Sequence, residues 1–135
     1  MYTMMQVCRE LDMTYQTLKF YCNEGLVPNV KRDHNNRRVF DEKDVKWIKD
    51  LTCLKKCGMS IQEMKKYLEL CLQGEATIVS RKKMLARKQE ELRASIKELE
   101  DSISYIGWKQ NFYDEVLSGK RPYVSNLIRT AEKKP

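Results

Sequence analysis

Apolar residues recur at helical spacing in four short segments over the first 74 residues of the chain. The first segment begins at Thr3. The other three begin directly after Thr14, Asp41 and Ser60, and residues of these types commonly cap the start of a helix. The last three segments each end near a glycine, which favours the left-handed backbone that closes many helices. The pattern therefore predicts four short helices. The first two are separated by only a few residues, as in a helix-turn-helix.

A short polar segment lies between the second and third predicted helices. Val30 on one side and Val39-Phe40 on the other flank a centre rich in Asp and Asn. Asn tolerates the left-handed backbone of tight turns, so the pattern predicts a small β-hairpin, or wing, beside the helix-turn-helix. From Val30 to Arg38 the wing holds four basic residues and one acidic residue. A basic hairpin in this place can hold phosphates while the second helix enters a groove of DNA.

A long segment without proline runs from Glu75 to about Leu117. Apolar residues recur in it every seven positions, and others interleave at the 3–4 spacing, which is the pattern of a coiled coil. At about 1.5 Å per residue such a helix is too long to bury its whole length against the preceding segments, so it needs a partner helix. The residues predicted to form this dimerisation stripe are Ile78, Leu85, Leu92, Ile96, Leu99, Ile103 and Ile106.

These elements predict a mostly α-helical chain in three parts. A winged helix-turn-helix head covers residues 1–74, a coiled-coil dimerisation helix covers 75–118, and a short C-terminal tail covers 119–135. With 33% charged residues, 5 glycines and 3 prolines among 135, the composition suits a helical, soluble protein. The net charge of +7 is compatible with nucleic acid, an anionic membrane surface or an acidic partner, and alone does not choose among them.

Several features that the sequence lacks limit the functions that we expect. No apolar stretch approaches the ~18 residues of a membrane span, and no secretory signal begins the chain, so we expect no membrane partner and a cytoplasmic location. The single histidine, His34, is not joined by a glycine-rich phosphate loop, a Ser-His-acid arrangement or paired carboxylates. We therefore expect a protein that is not an enzyme and that needs no cofactor and no metal.

Short motifs occur in a characteristic order along the chain. They are Tyr2-Thr3, Thr17-Leu18-Lys19-Phe20-Tyr21, Glu24-Gly25-Leu26, Arg32-Asp33, Arg38-Val39-Phe40, Asp41 to Asp44, Gly58-Met59-Ser60 and Glu63. Together with the long helix, they resemble the MerR family of bacterial transcription regulators over residues 1 to about 118. The resemblance implies a homodimer joined by an antiparallel coiled coil and bound to a pseudo-palindromic promoter. It also implies an indirect action on RNA polymerase, through distortion of the double-stranded promoter DNA.

The resemblance further implies which side chains contact DNA. Glutamine can read adenine, lysine can contact guanine or phosphate, and hydroxyls bind phosphate oxygens. The family usually has Arg where Lys19 stands, and because lysine cannot make the bidentate fork, its base-specific role stays open. For Tyr21, core packing is an equal alternative. The candidates are Tyr15, Gln16 and Lys19 for the groove, Thr14, Thr17 and Tyr21 for phosphates near the helix, and Lys31, Arg32, Arg37 and Arg38 for phosphates near the wing.

The segment after the long helix narrows the possible signals. Metal-sensing members of the family carry cysteines around that helix, whereas no cysteine occurs after Cys71 here. Drug-sensing members carry a large C-terminal domain, and only about 17 residues come after Ser118. A small reactive signal, a ligand near the dimer helix, or no ligand at all remain open. A coiled-coil interaction protein without DNA binding is the alternative outside this class.

Cys53 is the predicted sensor thiol. It lies off the apolar stripe of the third helix, and Lys49, Lys55 and Lys56 are close in sequence, so positive charge favours its reactive thiolate. The segment from Thr52 to Ser60 resembles a MerR subgroup that responds to aldehydes, other electrophiles or nitrosative stress through a cysteine at this position. The other four cysteines are expected to pack in the core, namely Cys8, Cys22, Cys57 and Cys71.

Overall fold

A computed structural model describes residues 1–129 and shows a mostly helical chain with one small sheet. It contains two compact units, the first spanning Met1–Leu92 and the second beginning at Arg93. The predicted combination of a winged helix-turn-helix and a long helix is confirmed. In chain order the elements are β1 (Tyr2–Thr3), α1 (Met4–Leu11), α2 (Tyr15–Asn23), β2 (Lys31–Arg32), β3 (Arg38–Phe40), α3 (Glu42–Lys56), α4 (Ile61–Leu72), a 3₁₀ turn (Gly74–Thr77) and α5 (Ile78–Leu117).

Helices α2, α3 and α4 begin after the caps that the sequence predicts, and Thr3, predicted as the start of the first helix, is the cap of α1. The side chains of Thr3, Thr14, Asp41 and Ser60 each accept a hydrogen bond from the backbone N–H three residues later. In α1, α3 and α4 the side chain three residues on bonds back to the cap, so each of these helices starts with a complete capping box. Each cap stabilises its helix by about 1 kcal/mol, which matters for helices this short.

The sheet is larger than the predicted hairpin. β3 pairs antiparallel with β2 and also with β1, giving the strand order β1-β3-β2. Tyr2 lies opposite Phe40 and Thr3 opposite Val39, so the chain's first residues form the third strand. A two-residue strand is too short to show the alternating pattern that identifies strands in a sequence, and β1 was therefore missed.

The head buries its own apolar residues. Leu18 of α2, Leu26, Phe40 of β3, and Ile48 and Leu51 of α3 are fully buried in one cluster. Burying a side chain of this size contributes about 1.5–3 kcal/mol. Trp47 closes one side of this core: its indole N–H donates to the carbonyl of Leu26 at 2.7 Å.

The helix α5 differs from the head in the exposure of its apolar residues. Residues 78–92 belong to the first unit, where Met84 packs against the head core and Lys88 is 9% exposed. The predicted stripe is exposed along the whole helix: Ile78, Leu85, Leu92, Ile96, Leu99, Ile103 and Ile106 each keep more than a third of their surface accessible.

Candidate nucleic-acid interface

One face of α2 points outward and carries the residues predicted to enter a DNA groove. Leu18 and Tyr21, on the opposite face, are buried in the core, which turns Tyr15, Gln16 and Lys19 toward solvent. Tyr15 is 46% exposed. The helix therefore presents an amide, a phenol and an ammonium side by side, three groups that can bond to base edges or phosphates.

Thr14 and Thr17 organise the start of this helix. The Thr14 Oγ1 accepts a hydrogen bond from the Thr17 backbone N–H at 3.1 Å and donates to the Thr17 Oγ1 at 2.8 Å. Both threonines are exposed. A helix N-terminus also favours anions because its free N–H groups point outward, so phosphates are suitable ligands for this end of α2.

The wing is held in shape by the carboxylate of Asp33. Its Oδ1 accepts hydrogen bonds from the backbone N–H groups of Asn35 and Arg37, both at 2.9 Å. These bonds, led by the one from Arg37, hold the pKa of the Asp33 carboxyl below its usual range. Asn36 takes the left-handed backbone, with φ of 61°, where a hairpin turn commonly has glycine. The turn without glycine is thus explained by an asparagine in that conformation.

The four basic residues of the wing have different roles. Arg37 is exposed and projects from the turn. The Arg32 guanidinium donates to the Asn36 carbonyl at 2.9 Å, and that of Arg38 donates to the Asn23 side chain at 2.7 Å. Arg32 and Arg38 therefore fix the wing, the latter against the end of α2, while remaining at its surface. Arg32, Arg37 and Arg38 line an open cleft of about 500 Å³ that Tyr15 also borders.

Two residues predicted to contact DNA, Tyr21 and Lys31, point away from the proposed DNA-binding face. Tyr21 is 3% exposed, and burial raises the pKa of its phenol, so the core alternative holds for its ring. The Lys31 ammonium lies 3.0 Å from both Asp41 and Asp44 and donates to the Asn29 carbonyl at 2.8 Å. Its charge is compensated at the start of α3. Neither residue belongs to the exposed face made by α2 and the wing.

Side chains that the sequence pattern did not single out complete this face. Phe20 is 45% exposed on α2, and Asn23 ends the same helix and receives the Arg38 hydrogen bond. Helical spacing carried the signal: residues 16, 20 and 23 recur three and four apart, opposite the buried Leu18 and Tyr21. At the same end of α2, Lys65 of α4 forms an ion pair with Glu24 at 2.9 Å, which connects α2 to the rest of the head.

The cysteines divide by exposure. Cys8 is buried, as expected, and Cys53, which lies off the apolar stripe of α3, is exposed. Burial raises the pKa of the Cys8 thiol and is also the leading influence on Cys22, whose pKa is raised despite the nearby Arg38 and Arg32. A raised pKa lowers the thiolate fraction and therefore the reactivity. The arginines beside Cys22 thus do not make it a reactive thiol.

Cys57 corrects the expectation of core packing. It is only half-buried, and it lines an open groove of about 410 Å³ beside Leu54 and Met59 of the head and Leu85 and Leu92 of α5. Cys22 and Cys71 are likewise half-buried. The helical stripe of α3 does continue through residues 54 and 57, but the surface that it reaches there is incompletely covered within one chain.

Family comparisons agree with this geometry. A family model described as MerR HTH family regulatory protein matches residues 2–71, and a second, described as MerR, DNA binding, matches residues 45–106. The chain belongs to the MerR family. Its curated relatives are transcriptional regulators. One from Haemophilus influenzae is 33% identical over 114 residues, 84% of either chain. The regulator AdhR of Bacillus subtilis is 37% identical over 87 residues, 64% of this chain and 62% of its own.

Solved MerR structures share the fold. HiNmlR, a MerR family regulator lacking the sensor domain, was crystallised bound to promoter DNA. It is 32% identical, with a TM-score of 0.71 over 87% of this chain and 93% of its own. A MerR family regulator of Bacillus thuringiensis is 28% identical, with a TM-score of 0.70 over 83% of this chain and 98% of its own. This MerR protein therefore has the architecture of family members that carry a head and a long helix.

Residues 1–129 show neither a metal-binding cluster nor a membrane span. No group of three or more histidine, cysteine, aspartate or glutamate side chains is arranged to hold a metal ion in that part of the chain. None of its helices combines the length and the hydropathy that crossing a membrane requires.

Proposed function

We propose that this MerR protein regulates transcription as a homodimer that binds a pseudo-palindromic promoter and responds to an electrophile or a redox signal through Cys53. The observation that carries the DNA-binding part is the exposed face on which Tyr15, Gln16 and Lys19 of α2 lie beside a basic wing. HiNmlR, with the same fold and 32% identity, binds promoter DNA, which supports this assignment.

The side chains have distinct roles in this proposal. Gln16 and Lys19 contact base edges in the major groove, and Tyr15 and Phe20 add contact area against bases or sugars. Thr14 and Thr17 bind a DNA phosphate at the start of α2, while Arg37 binds the phosphate backbone of the DNA beside the wing. Arg32 and Arg38 contribute charge and also order the wing: Arg32 bonds to the Asn36 carbonyl within the turn, and Arg38 bonds to Asn23 at the end of α2.

The dimer forms along α5. Its stripe is exposed at five successive heptad positions, and a helix with this surface is stable in water only when another apolar surface covers it. Residues 78–97 contain seven basic and two acidic side chains, a net of +5, whereas residues 98–117 contain one basic and five acidic, a net of −4. Antiparallel pairing brings opposite charges together, whereas parallel pairing brings like charges together. Both patterns support an antiparallel homodimer.

The proposed sensor acts by covalent addition. With an α,β-unsaturated aldehyde, the Cys53 thiolate attacks the β-carbon and forms a C–S bond. The carbon–carbon π electrons move toward the carbonyl, and the α-carbon then takes a proton from water. No oxidant is needed. Cys53 suits this role because its thiol is exposed on the surface of α3.

The DNA-binding proposal is tested by titrating the purified dimer against the upstream region of its own gene. Lys19→Ala and Arg37→Ala are each expected to weaken binding about tenfold, since each removes one charged contact. Affinity is also expected to fall steeply as salt rises, because phosphate contacts release counterions. Lys43→Ala, an exposed lysine of α3, is the matched control. Unchanged binding by both variants would refute the assigned face. A dimer that binds no DNA would favour the interaction-protein alternative.

The sensor proposal is tested by treating the protein with acrolein. Mass spectrometry of the intact protein and its peptides should show one fast adduct, on Cys53, with Cys8 reacting far more slowly. Cys53→Ser should lose the fast adduct and also the aldehyde response of a promoter reporter. If Cys53→Ser responds like the wild type, Cys53 is not the sensor, and the DNA-binding proposal is unaffected.

A further inference from the structure

The turn of the wing carries the only histidine in the sequence, His34. The backbone N–H of Asn36 donates to the carbonyl of Asp33 at 2.9 Å, which closes a β-turn with His34 and Asn35 at its two corners. The side chains of both corner residues are exposed. His34 therefore lies at the outer end of the basic wing.

This position is outside the cleft between the wing and α2. The wing lines that cleft with Arg32, Arg37 and Arg38, and α2 borders it with Tyr15, whereas His34 is not part of the lining. A DNA contact made by His34 is therefore additional to the contacts of the cleft. It falls on a phosphate that lies farther from α2.

The His34 side chain has no hydrogen bond or ion pair within residues 1–129. The neighbouring Asp33 carboxylate is already engaged, because its Oδ1 accepts the two backbone N–H groups that shape the turn. Both ring nitrogens of His34 are thus available to another molecule. An imidazolium offers two N–H donors and a charge, whereas a neutral imidazole offers one donor and one acceptor. A phosphate oxygen only accepts hydrogen bonds, so it favours the protonated ring.

The charges of the wing act on the same protonation. Arg32, Arg37 and Arg38 belong to the same hairpin, and like charges disfavour a further positive charge in the free protein. DNA phosphates offset these arginine charges, which removes the opposition. Asp33 is the one carboxylate between Val30 and Arg38. The backbone N–H of Arg37 is the first cause that holds its pKa below the usual range, and the charge of His34 adds to this effect.

The elements across the cleft contribute no further charge. The residues of β1, α1 and α2 that border the cleft contain neither a carboxylate nor an amine in their side chains, and they are Thr3, Met4, Met5 and Tyr15. The protonation of His34 is therefore governed by the wing's own charges and by the DNA that the wing contacts.

We propose that His34 binds a DNA phosphate as an imidazolium, so that promoter binding takes up a proton and becomes tighter as the pH falls from about 8 to about 6. This inference rests on the proposed DNA binding and adds a pH-dependent contact to it. A group that holds its proton more tightly in the complex than in the free protein makes the affinity rise as the pH falls. Histidine is the side chain whose charge ordinarily changes in this range.

Fluorescence anisotropy tests the contact, with tag-free protein and labelled promoter DNA at constant ionic strength. Between about pH 8 and pH 6, the affinity of the wild type should rise about threefold to tenfold more than that of His34→Gln. Glutamine keeps an N–H donor but cannot take up a proton. His34→Arg carries a permanent charge, so it should bind at pH 8 about as tightly as the wild type binds at pH 6.

A relocated histidine is the matched control. Ser104→His in the His34→Gln background places an imidazole on exposed α5 surface outside the stripe. This variant contains the same number of histidines as the wild type. It should keep the weak pH dependence of His34→Gln, because its imidazole has no phosphate to contact.

Proton NMR gives a second readout that does not depend on affinity. His34 is the only histidine in the sequence, so the imidazole signals of the wild type belong to it. The ring should take up its proton at a pH about half a unit to one unit higher in the DNA complex than in the free protein, which corresponds to the threefold to tenfold change in affinity.

The outcomes separate this inference from the proposed function. Equal pH dependence of the wild type and His34→Gln would overturn the role of His34 while leaving promoter binding intact. An imidazole that titrates at the same pH with and without DNA would do the same, as would recovery of the pH dependence by Ser104→His. A protein that binds no promoter DNA at any pH would instead refute the proposed function.

Discussion

The head buries its apolar core residues, whereas the long helix leaves its apolar stripe exposed. In the head, Leu51 is 0% exposed and packs within a cluster supplied by one chain. In α5, Leu99 is 64% exposed, although both are leucines at helical core spacing. The head therefore covers its apolar residues with contacts from one chain, whereas the stripe of α5 is left for the proposed second copy to cover. The amino-acid types alone do not distinguish these two situations.

The contrast is tested most strongly by Leu51→Ala in the head. Removing a fully buried leucine loses its transfer free energy and leaves a cavity, so the free energy of unfolding should fall by about 2–5 kcal/mol. Urea denaturation followed by circular dichroism measures this. The decrease should be the same at low and high protein concentration. A decrease that vanishes at high concentration would mean that the head is not independently stable.

Leu99→Asp tests the proposed role of the exposed apolar stripe of α5 in dimerisation. A carboxylate on the stripe must be desolvated in the dimer, so the dimer dissociation constant should rise about 100-fold or more. Sedimentation equilibrium measures this, and the head should keep its native spectrum. Ser104→Asp places the same charge on exposed α5 surface outside the stripe and should leave the dimer intact. If both variants remain dimeric, the stripe is not the interface.

Most of the fold could be predicted because the local signals agree. Thr14 and Asp41 cap helices where the sequence predicts, and the heptads of α5 appear as one continuous helix. The strand β1 was missed because its pairing with β3 is a long-range contact between very short segments. The candidate site was harder to predict from the sequence than the fold. The role of Lys31 depends on carboxylates ten and thirteen residues away, and the openness at Cys57 depends on how α5 packs near the head.

Asp33→Ala tests whether the wing works by its shape as well as its charge. The change removes the two hydrogen bonds that the carboxylate accepts inside the turn while raising the net charge by one. A purely electrostatic wing would then bind promoter DNA more tightly. We expect binding to weaken about threefold to tenfold instead, because ordering a loosened wing costs conformational entropy. Fluorescence anisotropy with labelled promoter DNA measures the affinity, and Asn35→Ala, which keeps the carboxylate, is the control.

The smallest effect concerns acid stability of the head. The backbone N–H of Asp44, followed by the Lys31 ammonium, holds the pKa of the Asp41 carboxyl below its ordinary value. A carboxyl with a lowered folded-state pKa stabilises the fold at pH values above its unfolded pKa, and this contribution is lost as the pH falls through the folded pKa. Thermal unfolding of the wild type should therefore lose stability below about pH 4. Asp41→Ser keeps a good helix cap that does not titrate, so its loss over this range should be smaller. An identical acid dependence in both proteins would show that the Asp41 carboxylate does not contribute to the head's pH response.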